Sequence, residues 1–290
     1  MTPLWSLYVA PLIEQLGPGR VMQVGAGDGE ASTWLLEYCR RSGCRADVIE
    51  PRPAAGLEER LQAYAQEHAY QRLLPLKAIL LAEHPDLVVL DGEPNWWTVF
   101  SALNLLQRLS AERGRPFPVV LAHHVAWPYG RRDMYPNPGA VEEKHPFAYQ
   151  GLDPDQTGLV EDGLNGRFAH ATHKGGPHNG VLTAIEDFIA NAPFDLDFWT
   201  LPFFNGLGVL APRSRMTPEL KTLIEGLYSS DDLLEAAKAV EADAMRLGAR
   251  LAEAENRLER RTGALKRARD LLARQEAEIA ALRKQLDAKA

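Results

Sequence analysis

Two adjacent histidines, His123 and His124, end the apolar run "FPVVLAHH" (117–124), and Asp91 stands at the end of a second run, "PDLVVLDG" (85–92). An imidazole, with an unperturbed pKa of about 6.5, is matched to taking a proton from a hydroxyl near neutral pH. Successive side chains of a strand point to opposite faces. Both histidines can therefore face one partner only if the chain has already left the strand. Otherwise one acts as a base and the other packs, satisfied by hydrogen bonds.

A second set of residues is suited to binding a nucleotide. "VMQVGAGDGEAST" (21–33) has the layout strand, glycine turn, helix, in which Gly25, Gly27 and Gly29 let the backbone turn tightly and approach a ligand. The spacing is G-x-G-x-G, and no Lys-Ser/Thr follows as a phosphate loop requires. About 20 residues later, at the distance expected of a ribose-binding acid, Glu50 ends "ADVIEP" (46–51). A carboxylate there can accept hydrogen bonds from both ribose hydroxyls. A dinucleotide is the alternative ligand, and a merely structural glycine turn is the plainer explanation.

Residues so placed need a frame. The runs at 20–27, 46–51, 85–92 and 117–124 are nearly continuous and apolar, and each ends in polar residues. That is the pattern of buried parallel strands with chemistry at their carboxyl ends. Helical patterns at 30–42, 55–70 and 96–112 lie between or after them. The alternation predicts an α/β fold, a Rossmann-like doubly wound, mostly parallel sheet with helices on both faces. A helix over 179–193 and a terminal hairpin, "FDLDFWTLPFF" and "GLGVLAP", complete it.

With 46% hydrophobic and 24% charged residues, the 290-residue chain can build one sizeable core and an appendage. A net charge of −7 speaks against a nucleic-acid partner. Cys39 and Cys44 make no disulfide framework, and "MTPLWSLYVAPLIEQLGPGR" reads as a helix of the fold rather than a targeting segment. A reducing, cytoplasmic setting is expected. No apolar run reaches the roughly 18 residues of a transmembrane segment.

The motif "VGAGDG" resembles the first motif of the class I S-adenosylmethionine-dependent methyltransferases, and "VIEP" resembles their second. "PDLVVLDGEPNWW" (85–97) is similar to the "DLVFIDGDHSY" strand of a subgroup that includes metal-dependent small-molecule and sugar O-methyltransferases and cephalosporin-hydroxylase-like proteins, with "GDHSY" replaced by "GEPNW". The resemblance covers about residues 15–212. It implies the class I methyltransferase fold, with S-adenosylmethionine on Gly25, Gly27, Gly29 and Glu50 and with Asp91 near its sulfonium end. Gln23 stands where the family often has an acid, and it still offers a carbonyl acceptor to the methionine amino group. Metal-dependent members take one ligand from the end of strand four and an adjacent pair from the end of strand five. Asp91 and the pair His123–His124 occupy those places, which implies a divalent metal ion on the three of them. Neighbouring strand ends lie about 5 Å apart, close enough for these side chains to converge. Two histidines and a carboxylate suit Fe²⁺, Mn²⁺, Co²⁺, Ni²⁺ or Zn²⁺ better than Mg²⁺, and the same set is the facial triad of non-haem iron oxygenases.

Residues 126–178 break the strand–helix rhythm and are rich in Pro, Gly, His and Asn. An insert of this length in a compact domain is expected to be a functional lid. "WPYGRRDMYPNP" and "HATHKGGPHNGVLTAIEDF" resemble blocks of bacterial members of the same subgroup, often encoded near polysaccharide genes. Trp127, Tyr129 and Tyr135 offer flat faces to a sugar, while Arg131, Arg132 and Asp133 offer planar hydrogen bonding. The alternative for the arginines is a clamp to Asp133, Glu186 or Asp187. His170, His173 and His178 match no zinc spacing and read as a hydrogen-bonded lid core. Asn179 is placed to cap the next helix or touch ligand.

Beyond about residue 230 the composition turns to Ala, Glu, Arg and Leu. Leu251, Leu258, Leu265, Leu272, Ile279 and Leu286 recur every seven residues, and Val240, Leu247, Ala254, Ala268 and Leu282 complete an a/d seam that Arg261 and Gln275 interrupt. This predicts a coiled coil and self-association rather than a solitary charged helix packed on the domain. The expected organisation is a catalytic domain at 1–215 with its lid at 126–178, a linker at 216–230 and a coiled coil at 231–290. A coiled coil after the catalytic part is also similar to O-antigen chain-terminating methyltransferases. The expected activity is O-methylation of a sugar hydroxyl on a bacterial glycan or glycoconjugate, with S-adenosylmethionine and a metal ion. The rivals are an iron-dependent hydroxylase on the same fold and a non-catalytic oligomerising scaffold.

Overall fold

The apolar runs form strands, as their patterning requires. In a computed structural model, residues 1, 4–228 and 231–287 are described, with backbone alone at 228, 231–233, 235, 236, 239 and 280–287. The strands are β1 (Arg20–Val24), β2 (Arg45–Ile49), β3 (His68–Gln71), β4 (Leu87–Leu90), β5 (Val119–His123), three short ones in the insert, β6 (Met134–Tyr135), β7 (Phe147–Ala148) and β8 (Ala169–Ala171), and the hairpin β9 (Leu196–Leu201) and β10 (Leu207–Pro212). Seven of them make the central sheet in the order β3-β2-β1-β4-β5-β10-β9. The first five are parallel, and β10 joins antiparallel to both β5 and β9. Strand order reverses between β1 and β4, and in open α/β sheets the crevice at such a switch point takes ligands.

The helices are α1 (Ala10–Leu16), entered through a π-helical turn at Trp5–Val9, then α2 (Glu30–Ser42), α3 (Leu57–Gln62), α4 (Pro75–Leu81), α5 (Trp96–Glu112), α6 (Val181–Asn191), α7 (Pro218–Tyr228) and α8 (Asp231–Asp287). One apolar layer packs Leu12, Leu35, Leu36 and Ile224 on one sheet face, and another packs Ile79, Leu103, Ile185 and Phe188 on the other. Both sheet faces are covered, so the strands carry apolar residues continuously instead of alternately.

Two expectations are corrected. The helix expected over 55–70 ends at Gln62, and the chain turns into β3. That edge strand pairs only with β2 and is half-exposed, so it carries no apolar run to announce itself. The segment expected as a linker at 216–230 is mostly α7, opened by Thr217 Oγ1, which accepts from Leu220 N at 3.1 Å. Its Leu220 and Ile224 are buried in the core.

The insert at 126–178 is ordered around an antiparallel sheet, β6-β8-β7. The last element, α8, is one long helix. Its Arg246 pairs with Asp155 at 3.2 Å and its Arg260 with Asp162 at 2.8 Å, both of the insert. Leu251, Leu258 and Leu265 are 61%, 66% and 65% exposed, so the heptad stripe faces away from the domain. The side chains of Leu282 and Leu286 lie outside the described residues. Among the described residues no helix is long and apolar enough to cross a membrane.

Candidate active site

Four turns meet at the carboxyl edge of the parallel strands. The register pairs Val24 with both Ile49 and Leu90, and Leu90 with Ala122. The next residues, Gly25, Glu50, Asp91 and His123, therefore stand in one row. Strand pairing alone delivers residues from distant parts of the sequence to one edge.

The glycine loop follows β1. A Cβ at Gly25 would lie 2.2 Å from the Asp91 carbonyl oxygen, so only glycine lets the two turns pass. Gly27 has φ +55° and nothing within 4 Å of an added Cβ, so there the backbone is bare toward solvent and glycine serves its left-handed turn. Gly29 precedes α2 and packs on Leu57. Glu50 Oε2 accepts from the N–H groups of Ala26 and Gly27 at 3.0 and 3.3 Å. Its Oε1 accepts from Arg52 N at 2.9 Å. Gln23 is buried; its Nε2 donates to the Gly25 carbonyl at 3.1 Å, and its Oε1 is buried without a donor.

A cleft of about 400 Å³ opens beside this loop, lined by Gly25, Gly27, Glu50, Arg52, Asp91, Gly92 and Glu93, and on the insert's side by Pro136, Arg167 and Phe168. That volume suits a nucleoside-sized ligand. The pair Arg52–Glu93, joined at 2.9 Å, was not singled out from the sequence. Glu93 belongs to the altered "GEPNW" motif, which was the available signal. Burial pushes the Glu93 carboxyl up, against the Arg52 guanidinium.

Asp91 stands on the wall of this cleft, and the two histidines lie behind it, lining a separate small cavity with Val24, Gly92 and Glu93. β5 ends at His123, and His124 takes a left-handed backbone with φ +68°. The chain has thus left the strand where the pair sits, and both rings turn to the same side, with centroids 4.1 Å apart. His123 Nδ1 is 2.6 Å from Asp91 Oδ1, and His124 Nε2 is 3.5 Å from the same oxygen. His123 Nε2 is 2.7 Å from the Phe204 carbonyl oxygen. His123 Nε2 therefore donates to that carbonyl, while Nδ1 faces both the Asp91 carboxylate and the Met1 ammonium, 3.3 Å away. Burial would raise the Asp91 carboxyl, but His123, the Met1 ammonium and His124 outweigh it and hold the acid well below its usual range. Burial, then the charge of His123, keep His124 far below the usual imidazole value. His124 is therefore neutral, and its Nδ1 is buried without a partner.

The donor set fits a divalent cation. One ligand atom from each of Asp91, His123 and His124 lies within 4.8 Å of the others. The Met1 ammonium lies 3.3 Å from Asp91 Oδ2 and 3.3 Å from His123 Nδ1, a positive charge against the same donors. Of His170, His173 and His178, expected to form a hydrogen-bonded lid core, only His170 is buried, its Nδ1 donating to the Gln150 carbonyl at 2.8 Å; His173 and His178 are exposed.

The insert's residues fall into two groups. Trp127 is half-buried in the insert's own core, and Tyr129 beside it places its ring 5.5 Å from His124. Arg131, Arg132, Asp133 and Tyr129, expected at the acceptor, are spent on the protein. Arg131 holds Glu186 through both guanidinium nitrogens at 2.5 and 2.6 Å. Arg132 is buried and donates to the carbonyls of Ala171 and Thr157. Asp133 Oδ1 accepts from Trp96 N and Gly180 N, both at 2.7 Å, and Oδ2 from the Tyr135 hydroxyl at 2.8 Å. Tyr129 is buried and its hydroxyl accepts from Asn165 Nδ2 at 2.7 Å. Asn179 is buried; its Oδ1 accepts from Asp133 N at 2.8 Å. These bonds lock the insert to α5 and α6, the clamp that was the alternative expectation.

No family model and no curated protein matches the chain. Among solved structures it is similar to the S-adenosylhomocysteine-bound methyltransferase PaMTH1 of Podospora anserina, at 14% identity over 70% of this chain and 77% of that one, with a TM-score of 0.42. It is similar to an O-methyltransferase of Bacillus cereus in complex with S-adenosylhomocysteine, at 12% identity over 73% and 82%, TM-score 0.44. The O-methyltransferase TomG of Streptomyces achromogenes, with S-adenosylmethionine, matches at 17% identity over 70% and 76%, TM-score 0.39. The strand order, the five parallel strands and the closing antiparallel hairpin give this chain a Rossmann-like, doubly wound and mostly parallel fold.

Proposed function

We propose that this protein transfers a methyl group from S-adenosylmethionine to a hydroxyl of a sugar or glycoconjugate, with a divalent metal ion at Asp91, His123 and His124. The observation that carries this reading is that the glycine loop, Glu50 and Asp91 line one cleft, with His123 and His124 set against Asp91 behind it. Bound S-adenosylmethionine supplies an electrophilic methyl group on a sulfonium. The residues that would hold it are Gly25 and Gly27, which leave the loop bare, Glu50, which borders the cleft, and Gln23, whose buried Oε1 lacks a donor. Asp91 stays ionised and orients His123. Without a metal ion, His124, neutral and next to Asp91, takes the hydroxyl proton. Held by the three residues, a metal ion would instead lower the pKa of the acceptor hydroxyl, with His124 a ligand and not the base. The insert closes the cleft on its outer side and limits water.

The sugar class is supported by aromatic faces in the insert, Trp127 and the exposed Phe147 and Tyr149, and by its resemblance to polysaccharide-associated sequences. Self-association is supported by the exposed leucine stripe of α8. The test is incubation with methyl-labelled S-adenosylmethionine and a panel of monosaccharides and bacterial glycans, together with metal analysis of protein purified without added metal. Label in a methyl ether is expected. Bound iron with acceptor-dependent oxygen consumption and no label would overturn methyl transfer in favour of hydroxylation.

A further inference from the structure

The helix α8 has two faces with different uses. Its inner face lies on the insert. Ala249 is buried, a Cβ on Gly248 would meet Leu164 Cδ2 at 3.6 Å, and Arg246 and Arg260 reach Asp155 and Asp162 at 3.2 and 2.8 Å. With Leu251, Leu258, Leu265, Leu272 and Ile279 as heptad position a, Ala249 falls at f and both arginines at c, on the outer side of the heptad. Positions a and d point the other way, and from Leu247 to Ile279 every one of them is exposed. The domain holds the helix by one side and leaves a continuous seam open on the other.

The seam is uneven in a way that selects its partner. Position a is always large, Leu or Ile, while position d runs Leu247, Ala254, Arg261, Ala268, Gln275. In a parallel, in-register pair each layer faces its own copy. Arg261 would then meet the partner's Arg261 inside the seam, and Ala254 would face the partner's Ala254 across a gap. Reversing the second helix pairs a with d instead. Centred on Gly263, it sets Leu258 on the partner's Ala268, Leu265 on the partner's Arg261 and Leu272 on the partner's Ala254. The outer layers are Leu251 on the partner's Gln275 and Ile279 on the partner's Leu247. Every layer then holds at least one large aliphatic side chain, small residues face large ones, and no guanidinium meets its own kind. Arg261 lays its apolar stem on the facing leucine and carries its charge outward. The exposed flanks agree: Arg250 comes opposite the partner's Glu278, and Glu255 opposite the partner's Arg269. A parallel pair would bring Arg250 to the partner's Glu255, so the core layers make the choice and the charges supply a test.

We propose that α8 forms a two-stranded antiparallel coiled coil with a second copy of this chain, centred on Gly263. This rests on the reading of the leucine stripe as a self-association face and adds its orientation and register. At 1.5 Å of rise per residue, Leu251 and the partner's Leu251 lie about 36 Å apart along the axis. The stretch of α8 beyond Arg260 then runs beside the stretch on which the partner's insert is docked. The helix is long because half of it carries its own domain and half supports the partner's.

The test uses the full chain. Cys39 and Cys44 are buried, so the wild type serves as the oxidation control. Under mild oxidation the double variant Ala254→Cys with Leu272→Cys is expected to run as a covalent dimer, and each single variant as a monomer. A covalent dimer from either single variant would mean that like faces like, which overturns the antiparallel pair and leaves self-association standing. Charge exchange, read by sedimentation, needs no change in the seam. Arg250→Glu is expected to weaken association about fivefold or more. Adding Glu278→Arg should restore it, and adding Glu255→Arg should weaken it further. Restoration by Glu255→Arg and not by Glu278→Arg would overturn the proposal. A monomeric wild type would overturn it together with self-association. Binding of S-adenosylhomocysteine, measured separately by calorimetry, bears on methyl transfer alone and leaves the pairing result standing.

Discussion

Asp91 Oδ1 and His123 Nδ1 lie 2.6 Å apart because the ends of β4 and β5 are in register, not because any loop folds back to join them. His124 reaches the same carboxylate only through its left-handed backbone. The site thus combines one relationship fixed by sheet pairing with one fixed by a turn.

Asp91→Asn keeps the shape and removes the charge that orients His123. Methyl transfer is expected to fall on the order of 10²-fold or more. Binding of Mn²⁺ or Zn²⁺, followed by calorimetry, should be lost in the same variant. Retained metal affinity would remove Asp91 from the ligand set.

Asp133 tests the insert as a structural clamp. Asp133→Ala would strand two backbone N–H groups and the Tyr135 hydroxyl in a buried place. A loss of roughly 3–5 kcal/mol is expected in denaturant unfolding, more than surface substitutions cost. A loss below about 1 kcal/mol would show that water replaces the carboxylate.

Acid should loosen the insert through His170. This ring is buried, its Nδ1 bonds to the Gln150 carbonyl at 2.8 Å, and burial keeps it below the usual imidazole value. The unfolded chain therefore binds the proton more readily, and stability falls as pH drops from about 6.5 toward the folded value. His170→Asn retains a donor and cannot charge. The wild type should lose more Tm than this variant between about pH 7.5 and about pH 5.5. Equal losses would assign the acid sensitivity to other groups.

Much of this was legible in the sequence, for physical reasons. β1, β4 and β5 are covered on both faces, so their apolar runs are continuous and their polar ends mark the edge where Gly25, Asp91 and His123 meet. β3 was hidden because an edge strand half-open to water needs no such run. The direction of the histidine pair was conditional: the sequence set the condition, and the φ of His124 met it. Tyr129, Arg132 and Asp133 were misread as acceptor contacts because polar residues in a loop look alike whether they face ligand or bond to backbone; only burial separates the two. Phe204 left no signal, since its part is a backbone carbonyl brought to His123 from a distant element.

The leucine stripe of α8 gives a direct prediction. Sedimentation of the wild type should show an oligomer, and Leu258→Asp with Leu265→Asp should shift it toward the monomer mass while the domain stays folded. A monomeric wild type would mean that the helix serves the domain alone.

The most direct measurement is calorimetric binding of S-adenosylhomocysteine to the wild type, Glu50→Ala and His124→Ala. One site per chain is expected in the wild type. Glu50→Ala should weaken it about tenfold or more, through the lost cap on Ala26 and Gly27, while His124→Ala should bind almost as the wild type does and fail in transfer. No binding to the wild type, or equal losses in both variants, would contradict a methyl donor seated on the glycine loop beside an Asp91–His123–His124 reacting edge.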